Sequence, residues 1–274
     1  MSKEDFLKAV IAEDVGRGDL FARVVQPTQA KARIVAKSDG VLAGRAYVEA
    51  LESLYTIKFD WQFQDTQSFS KGDDLLYLEG VNTTLLSLER TILNILHHAS
   101  SIATLTHAYV DAIGDMPVKL LDTRKTRPLL REFEKYAVRC GGGINHRFGL
   151  DDSLMLKDTH LKTIDDLEAF MAHARKQIPF TSKIEIECEN FAMVKEACRV
   201  GADIIMCDNM SLEAMSEVVA YRNEHYPHIL LEASGNITLD TIAQVATTGV
   251  DAISTGATVH QSTWIDLSMR VMDA

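Results

Sequence analysis

The stretch K-I-E-I-E-C-E (183–189), a helical pattern over 190–200 closed by Gly201, and then A-D-I-I-M-C-D-N (202–209) decides the fold. A short apolar strand, a helix and a second strand in close succession require a crossover rather than a hairpin, so the two strands run parallel. The same unit recurs on both sides. Further strands read at V-K-L-L-D (118–122), S-L-M-L-K-D (153–158), H-I-L-L-E-A-S-G (228–235) and V-D-A-I-S-T-G (250–256). Between them lie helical patterns: 164–176, with Ile164, Leu167, Phe170 and Met171 on one face; a helix capped by Ser211, with Leu212, Met215, Val218 and Val219 inward; and 238–249. Strict alternation predicts an α/β barrel, and 118–260 is short for eight strands. The strands end in turn at Asp122 with Arg124 and Lys125, then at Lys157, Glu187, Asp208, Ser234 and Gly256. Polar residues at the carboxyl ends of successive parallel strands converge on one mouth, where such barrels keep their chemistry.

Charge says what that mouth attracts. The chain of 274 residues carries a net charge of −11, which argues against coating nucleic acid. Residues 119–147 reverse the sign: Lys119, Arg124, Lys125, Arg127, Arg131, Lys135, Arg139 and Arg147 face only Asp122, Glu132 and Glu134. Two groups stand out, T-R-K-T-R-P after the strand at 118–122 and N-H-R (145–147) after the glycines 141–143. Arginine supplies a planar fork for carboxylate or phosphate and lysine a point charge, so the expected ligand is small and strongly anionic. E-A-S-G-N-I (232–237), which opens a helix, and S-T-G-A (254–257) are glycine-containing turns after the last two strands, a phosphate cradle in many barrels. Glu187 and Asp208, on neighbouring strands, suit sugar hydroxyls or, with phosphate oxygens, Mg²⁺; a salt bridge to the nearby bases is the alternative.

The first half reads differently. Residues 31–80 are β-rich, with Ile57, Phe59, Trp61 and Phe63 alternating, and a proline-free helix over 82–113 carries Leu85, Leu88, Ile92, Leu96 and Ile102 at core spacing. This predicts a small domain over 1–115 joined near Gly114–Pro117 to a barrel domain over 116–274. Arg90 sits among the apolar positions of that helix, either as a surface residue or as a cation projecting into a site formed with another chain. His97, His98 and His107 have no metal-ligand spacing and read as packing or hydrogen-bonding groups. Cys140, Cys188, Cys198 and Cys207 form no C-x-x-C pair and read as buried reduced thiols of a cytoplasmic protein. No apolar run approaches a membrane span, and the first residues lack the apolar block of a signal peptide. At 46% hydrophobic and 24% charged residues, neither a disordered chain nor a disulfide-stapled mini-protein fits.

The run E-R-T-I-L-N-I-L (89–96), D-T-R-K-T-R-P (122–128), G-G-G-x-N-H-R (141–147), L-K-D-T-H (156–160), E-I-E-C-E (185–189), M-C-D-N (206–209), L-E-A-S-G-N-I (231–237) and S-T-G-A (254–257) closely resembles the quinolinate phosphoribosyltransferases, the ε-proteobacterial type above all. The resemblance implies an N-terminal α/β sandwich domain, on which the last residues pack back, and an open seven-stranded α/β barrel of the type II phosphoribosyltransferases. It implies condensation of quinolinate with phosphoribosyl pyrophosphate and Mg²⁺, giving nicotinate mononucleotide, pyrophosphate and CO₂ in NAD biosynthesis. It implies that Arg124, His146, Arg147 and Lys157 hold the quinolinate carboxylates, with Lys125 shared with the pyrophosphate. Lys125, Lys157, Glu187 and Asp208 are the implied catalytic residues, the two acids meeting the ribose hydroxyls and, through water, Mg²⁺. Thr123, Ser234, Gly235, Asn236, Ser254, Gly256, Ala257 and His260 are implied around the substrate, most of them at the 5′-phosphate. Arg90 is implied to reach the partner's site in a homodimer with shared active sites, with scope for a higher oligomer of dimers. The rival readings are a paralogue with another acceptor, nicotinate or the molybdenum-transport-associated type, and a non-catalytic protein that binds anionic metabolites. Two carboxylates on the acceptor call for the full set Arg124, His146, Arg147 and Lys157.

Overall fold

The Ser2 hydroxyl accepts the Asp5 N–H and starts α1 (Lys3–Val15), the first element of a computed structural model that describes residues 2–273. There follow β1 (Gln29–Ala36), β2 (Gly40–Val41), α2 (Arg45–Val48), β3 (Ile57–Trp61), β4 (Ser68–Phe69), β5 (Asp74–Val81) and the long α3 (Asn82–Ile113). Alternating units then run β6 (Lys119–Leu121), α4 (Arg131–Cys140), β7 (Leu154–Leu156), α5 (Asp158–Leu161), α6 (Leu167–Gln177), β8 (Ile184–Cys188), α7 (Phe191–Arg199), β9 (Ile204–Asp208), α8 (Leu212–His225), β10 (Leu230–Ser234), α9 (Leu239–Ala246), β11 (Ala252–Ser254), α10 (Ala257–His260) and β12 (Leu267–Val271). The chain forms two compact units. One runs to His107 and takes in Tyr136–Gly142 and the segment from Ser262; the other comprises Ala108–Lys135 and Gly143–Gln261. The division therefore falls inside α3, ahead of the 115/116 boundary expected from the sequence.

The first unit is built on an antiparallel sheet in the order β12-β1-β5-β3, with Ile34 opposite both Leu76 and Met269. The α3 stripe read from the sequence, Leu85, Leu88, Ile92, Leu96 and Ile102, is buried. His97 is also buried, and its Nε2 accepts the Leu267 N–H at 3.0 Å. Burial lowers the pKa of its imidazole, which suits an acceptor.

The second unit carries a parallel sheet in the order β6-β11-β10-β9-β8-β7. All six strands lie where the sequence placed them. The expected seventh is reduced to one bridged residue: Ile144 pairs with Leu121, donating its N–H to Leu120 O at 2.8 Å and accepting the Asp122 N–H at 3.1 Å. Gly141, Gly142 and Gly143 before it and the loop after it leave no length for more. The sheet curls. In a flat sheet the edge at Ile144 would lie about 24 Å from β8, five strands away. Yet His146 Nε2 stands 3.3 Å from Glu185 Oε2 on β8 and 3.2 Å from Glu232 Oε2 on β10. Only an inward-rolled barrel brings those side chains together.

Helix ends follow local chemistry. Asn190, Ser211 and Asp166 cap α7, α8 and α6 by accepting the N–H groups of Met193, Ala214 and Ala169. Gly201, at φ +78°, turns the chain after α7. All four cysteines are buried free thiols, and among the described residues no helix is long and apolar enough to cross a membrane.

Candidate active site in the barrel mouth

The carboxyl ends of the strands open on a cleft with two lobes. The larger, about 480 Å³, is lined by Thr123, Arg124, Lys125, His146, Arg147, Lys157, Glu187, Asp208, Ser234, Gly235, Asn236 and Ser254, with Met155, Met206 and Asn209. The smaller, about 200 Å³, shares Thr123, Lys125, Ser234, Gly235, Asn236 and Ser254 and adds Ile237, Thr238, Thr255, Gly256, Ala257, His260 and Gln261. The substrate and catalytic residues expected from the sequence line this cleft except Arg90, an exposed residue of α3 in the other unit; of the strand-end polar residues, Asp122 is buried and lines neither lobe.

The larger lobe is asymmetric. On one side stand the cations. Arg147 is buried, with Nη1 donating to Ser153 O at 2.8 Å and Nη2 against Met155 Sδ at 3.4 Å. Burial and the neighbouring Arg124 charge lower its pKa from the usual arginine value. Arg124 Nε is buried and has no hydrogen-bond partner among the described residues. Two crowded guanidinium groups, one with a buried unpaired donor, form a site that an anion would relieve. On the other side, Glu187 accepts from Lys157 Nζ at 2.7 Å, so the salt bridge weighed as an alternative is present. Asp208, next to it on β9, accepts from Asn209 Nδ2 at 2.8 Å.

His146 shows something the sequence did not. Its Nδ1 lies 2.7 Å from the Arg147 backbone nitrogen, while Nε2 faces Glu185 and Glu232. Burial works to lower its pKa, but the two glutamates beside Nε2 outweigh it and push it up to about 10. What His146 brings to the cleft is therefore charge more than a spare nitrogen. Burial raises the Glu185 carboxyl, which is fully enclosed. A signal for both glutamates existed. Side chains alternate along a strand, so Glu185 shares its face with Glu187, and Glu232 with Ser234.

The smaller lobe is built from turns. Gly235 has φ +91° and Asn236 φ +49°, followed by the Thr238 cap of α9. Asn236 Nδ2 donates to Asn209 Oδ1 at 2.9 Å, tying this turn to Asp208 through one amide. A Cβ on Gly256 would lie 3.1 Å from both Lys125 Cδ and the His260 ring, so the lysine passes directly over that turn. The Ala257 N–H is engaged by Thr255 Oγ1 at 3.1 Å. Lys125 thus borders both lobes.

Fold and cleft together define the class: an open α/β barrel with a cleft bordered by Arg124, Lys125, Arg147 and Lys157 at the carboxyl ends of its strands. Two family models cover the chain, Quinolinate phosphoribosyl transferase, N-terminal domain, over residues 19–100, and its C-terminal domain over residues 102–270. The chain belongs to the quinolinate phosphoribosyl transferase family. It is 38% identical to the probable nicotinate-nucleotide pyrophosphorylase (carboxylating) of Synechocystis sp., over 98% of this chain and 92% of that protein. The Bacillus subtilis protein of the same description is also 38% identical, over 94% of this chain and 90% of its own length. The crystal structure of NadC from Streptococcus pyogenes superposes with a TM-score of 0.92 at 40% identity, covering 98% of this chain and 97% of that one.

Proposed function

We propose that this protein transfers the phosphoribosyl group of phosphoribosyl pyrophosphate to the ring nitrogen of quinolinate and releases CO₂, forming nicotinate mononucleotide in NAD biosynthesis. The observation that carries this reading is the pairing of Arg124 with Arg147, crowded and incompletely satisfied, in a lobe joined through Lys125 to glycine-bearing turns. A small dianion fits the first lobe and a sugar phosphate the second.

In this reading Arg124, Arg147 and Lys157 engage the two carboxylates and His146 adds positive charge behind them. Gly235, Asn236 and Gly256 receive the 5′-phosphate, with Ser234, Ser254, Ala257 and His260 around it and Thr123 beside the acceptor. The ring nitrogen forms the new bond to the anomeric carbon, and the old bond's electron pair leaves with pyrophosphate. Positive charge grows on the sugar, which Glu187 and Asp208 stabilise, while Lys125 neutralises the departing pyrophosphate. Once nitrogen is glycosylated the pyridinium accepts the electrons of the breaking carbon–carboxylate bond, and a proton replaces CO₂. Two hard carboxylates beside a phosphate-binding turn suit Mg²⁺, which keeps several waters and takes few protein ligands, so Glu187 and Asp208 are the residues to hold it. When bound it supplies charge neutralisation for the leaving group.

The same reading makes the working unit a homodimer, with Arg90 of each chain serving the other's cleft, in the cytoplasm. The exposed position of Arg90, on a different face of α3 from its buried stripe, supports the first part. One assay tests the activity: purified protein with Mg²⁺, phosphoribosyl pyrophosphate and either quinolinate or nicotinate, following CO₂ and nucleotide. Turnover with quinolinate alone is expected; turnover with nicotinate alone overturns the reading.

A further inference from the structure

Behind the cleft, one face of α4 holds both loops that carry the cations. Glu134, fully buried, accepts the Arg127 N–H at 2.9 Å and Arg127 Nη1 at 2.6 Å. Lys135, the next residue and also fully buried, donates to the Asp122 carboxylate and to His146 O at 2.9 Å. Asp122 and Arg127 are the two ends of the loop bearing Thr123, Arg124 and Lys125, so consecutive residues of one helix pin both of its ends. Asp122 also accepts the His146 N–H at 2.8 Å and Asn145 Nδ2 at 2.6 Å, which fixes the second cation loop to the same centre. Arg131, one turn earlier on the same face, donates to Thr126 Oγ1 at 3.2 Å and Phe148 O at 2.8 Å. None of Asp122, Arg131, Glu134 or Lys135 lines either lobe.

We infer that Glu134 and Lys135, with Asp122, are positioning residues that set the spacing of Arg124 and Arg147 and thereby the affinity for the acceptor; this rests on the reading of the cleft as a quinolinate site. Stability alone is a poor reason for such a pair. Burial raises the Asp122 carboxyl and lowers the Lys135 amine against the pull of each on the other, and a buried ion pair seldom outperforms apolar residues of the same size. A misplacement of about 1 Å in a binding group, by contrast, costs up to about a hundredfold in kcat/KM.

The test uses two full-length variants acting at opposite ends of the loop. Asp122→Asn with Lys135→Met removes both buried charges together, and Glu134→Gln weakens only the Arg127 tie. Steady-state kinetics and thermal melts are measured on both and on wild type. The expected result is a KM for quinolinate raised about tenfold or more in the double variant and less in Glu134→Gln, with kcat within about threefold and melting unchanged. If the double variant does not fold, Glu134→Gln decides. Wild-type KM for quinolinate in the folded variants overturns the inference while wild-type turnover leaves the site assignment standing. Wild-type protein inactive on quinolinate removes both.

Discussion

Gly235→Ala should damage both the barrel and the use of phosphoribosyl pyrophosphate. Gly235 has φ +91°, a conformation an alanine adopts at a cost of about 1–2 kcal/mol. Its new Cβ would run into the Asn209 side chain, lying 2.5 Å from Cγ and 2.7 Å from Nδ2. Asn209 cannot simply swing away, because its amide donates to Asp208 at 2.8 Å and accepts from Asn236 at 2.9 Å. Losing those two bonds adds about 1–2 kcal/mol. The combined destabilisation of about 2–4 kcal/mol corresponds to a fall in Tm of roughly 5–15 °C for a unit of this size. Since the displaced amide links Asp208 to the turn at Asn236, the KM for phosphoribosyl pyrophosphate should rise while that for quinolinate changes little. Differential scanning calorimetry and a two-substrate kinetic matrix read these quantities. A Tm within about 2 °C of wild type, with an unchanged KM for phosphoribosyl pyrophosphate, would refute the reasoning.

Other outcomes are expected. Arg124→Ala should raise the KM for quinolinate by an amount equivalent to about 2–5 kcal/mol and leave that for phosphoribosyl pyrophosphate nearly intact; wild-type quinolinate affinity by calorimetry would sink its assignment. Glu187→Gln and Asp208→Asn should lower kcat more than they weaken quinolinate binding, because their charge matters most as the sugar becomes cationic, and near-normal turnover at saturation would make the acids structural. Inactive Arg90→Ala subunits mixed with inactive Lys157→Ala subunits should regain up to half the wild-type activity per mixed dimer, since one site then carries both defects and the other neither; no recovery in proven mixed dimers contradicts a role in trans. His146 should titrate by NMR near pH 10, well above its ordinary 6.5. Its folded pKa being raised, the stability it contributes is full below 6.5 and is lost as pH rises through about 10, and a midpoint at or below 6.5 contradicts the clamp by Glu185 and Glu232.

The barrel was legible because parallel strands write themselves twice, as short apolar runs and as the polar residue that ends each one. All six strands and the mouth they share could be read that way, from Asp122 to Gly256. The basic segment was read too generously. Of its eight cations, only Arg124, Lys125 and Arg147 line the cleft; Lys135 and Arg131 turn inward to tie loops, and Arg127 meets Glu134. A count of charge along a sequence cannot see which acid or carbonyl elsewhere in the fold will claim each one. Glu185 and Glu232 escaped notice for a related reason. Each lies two residues before a residue that lines the mouth, one layer deeper, where an acid looks improbable until its histidine partner is in place.

The pairing of β12 with β1 has a consequence for how the chain is made. Asp266 and Ser38, bonded at 3.1 Å, are 228 residues apart. During vectorial synthesis every strand of the barrel leaves the ribosome before β12 does, while β1 waits with one edge of its backbone unsatisfied. The half translated first is thus the half completed last, and through that interval its open strand edge is a surface on which two nascent chains can join. A shortened transcript ending before Leu267 would leave the parallel sheet intact in composition and still strip the antiparallel sheet of an edge strand.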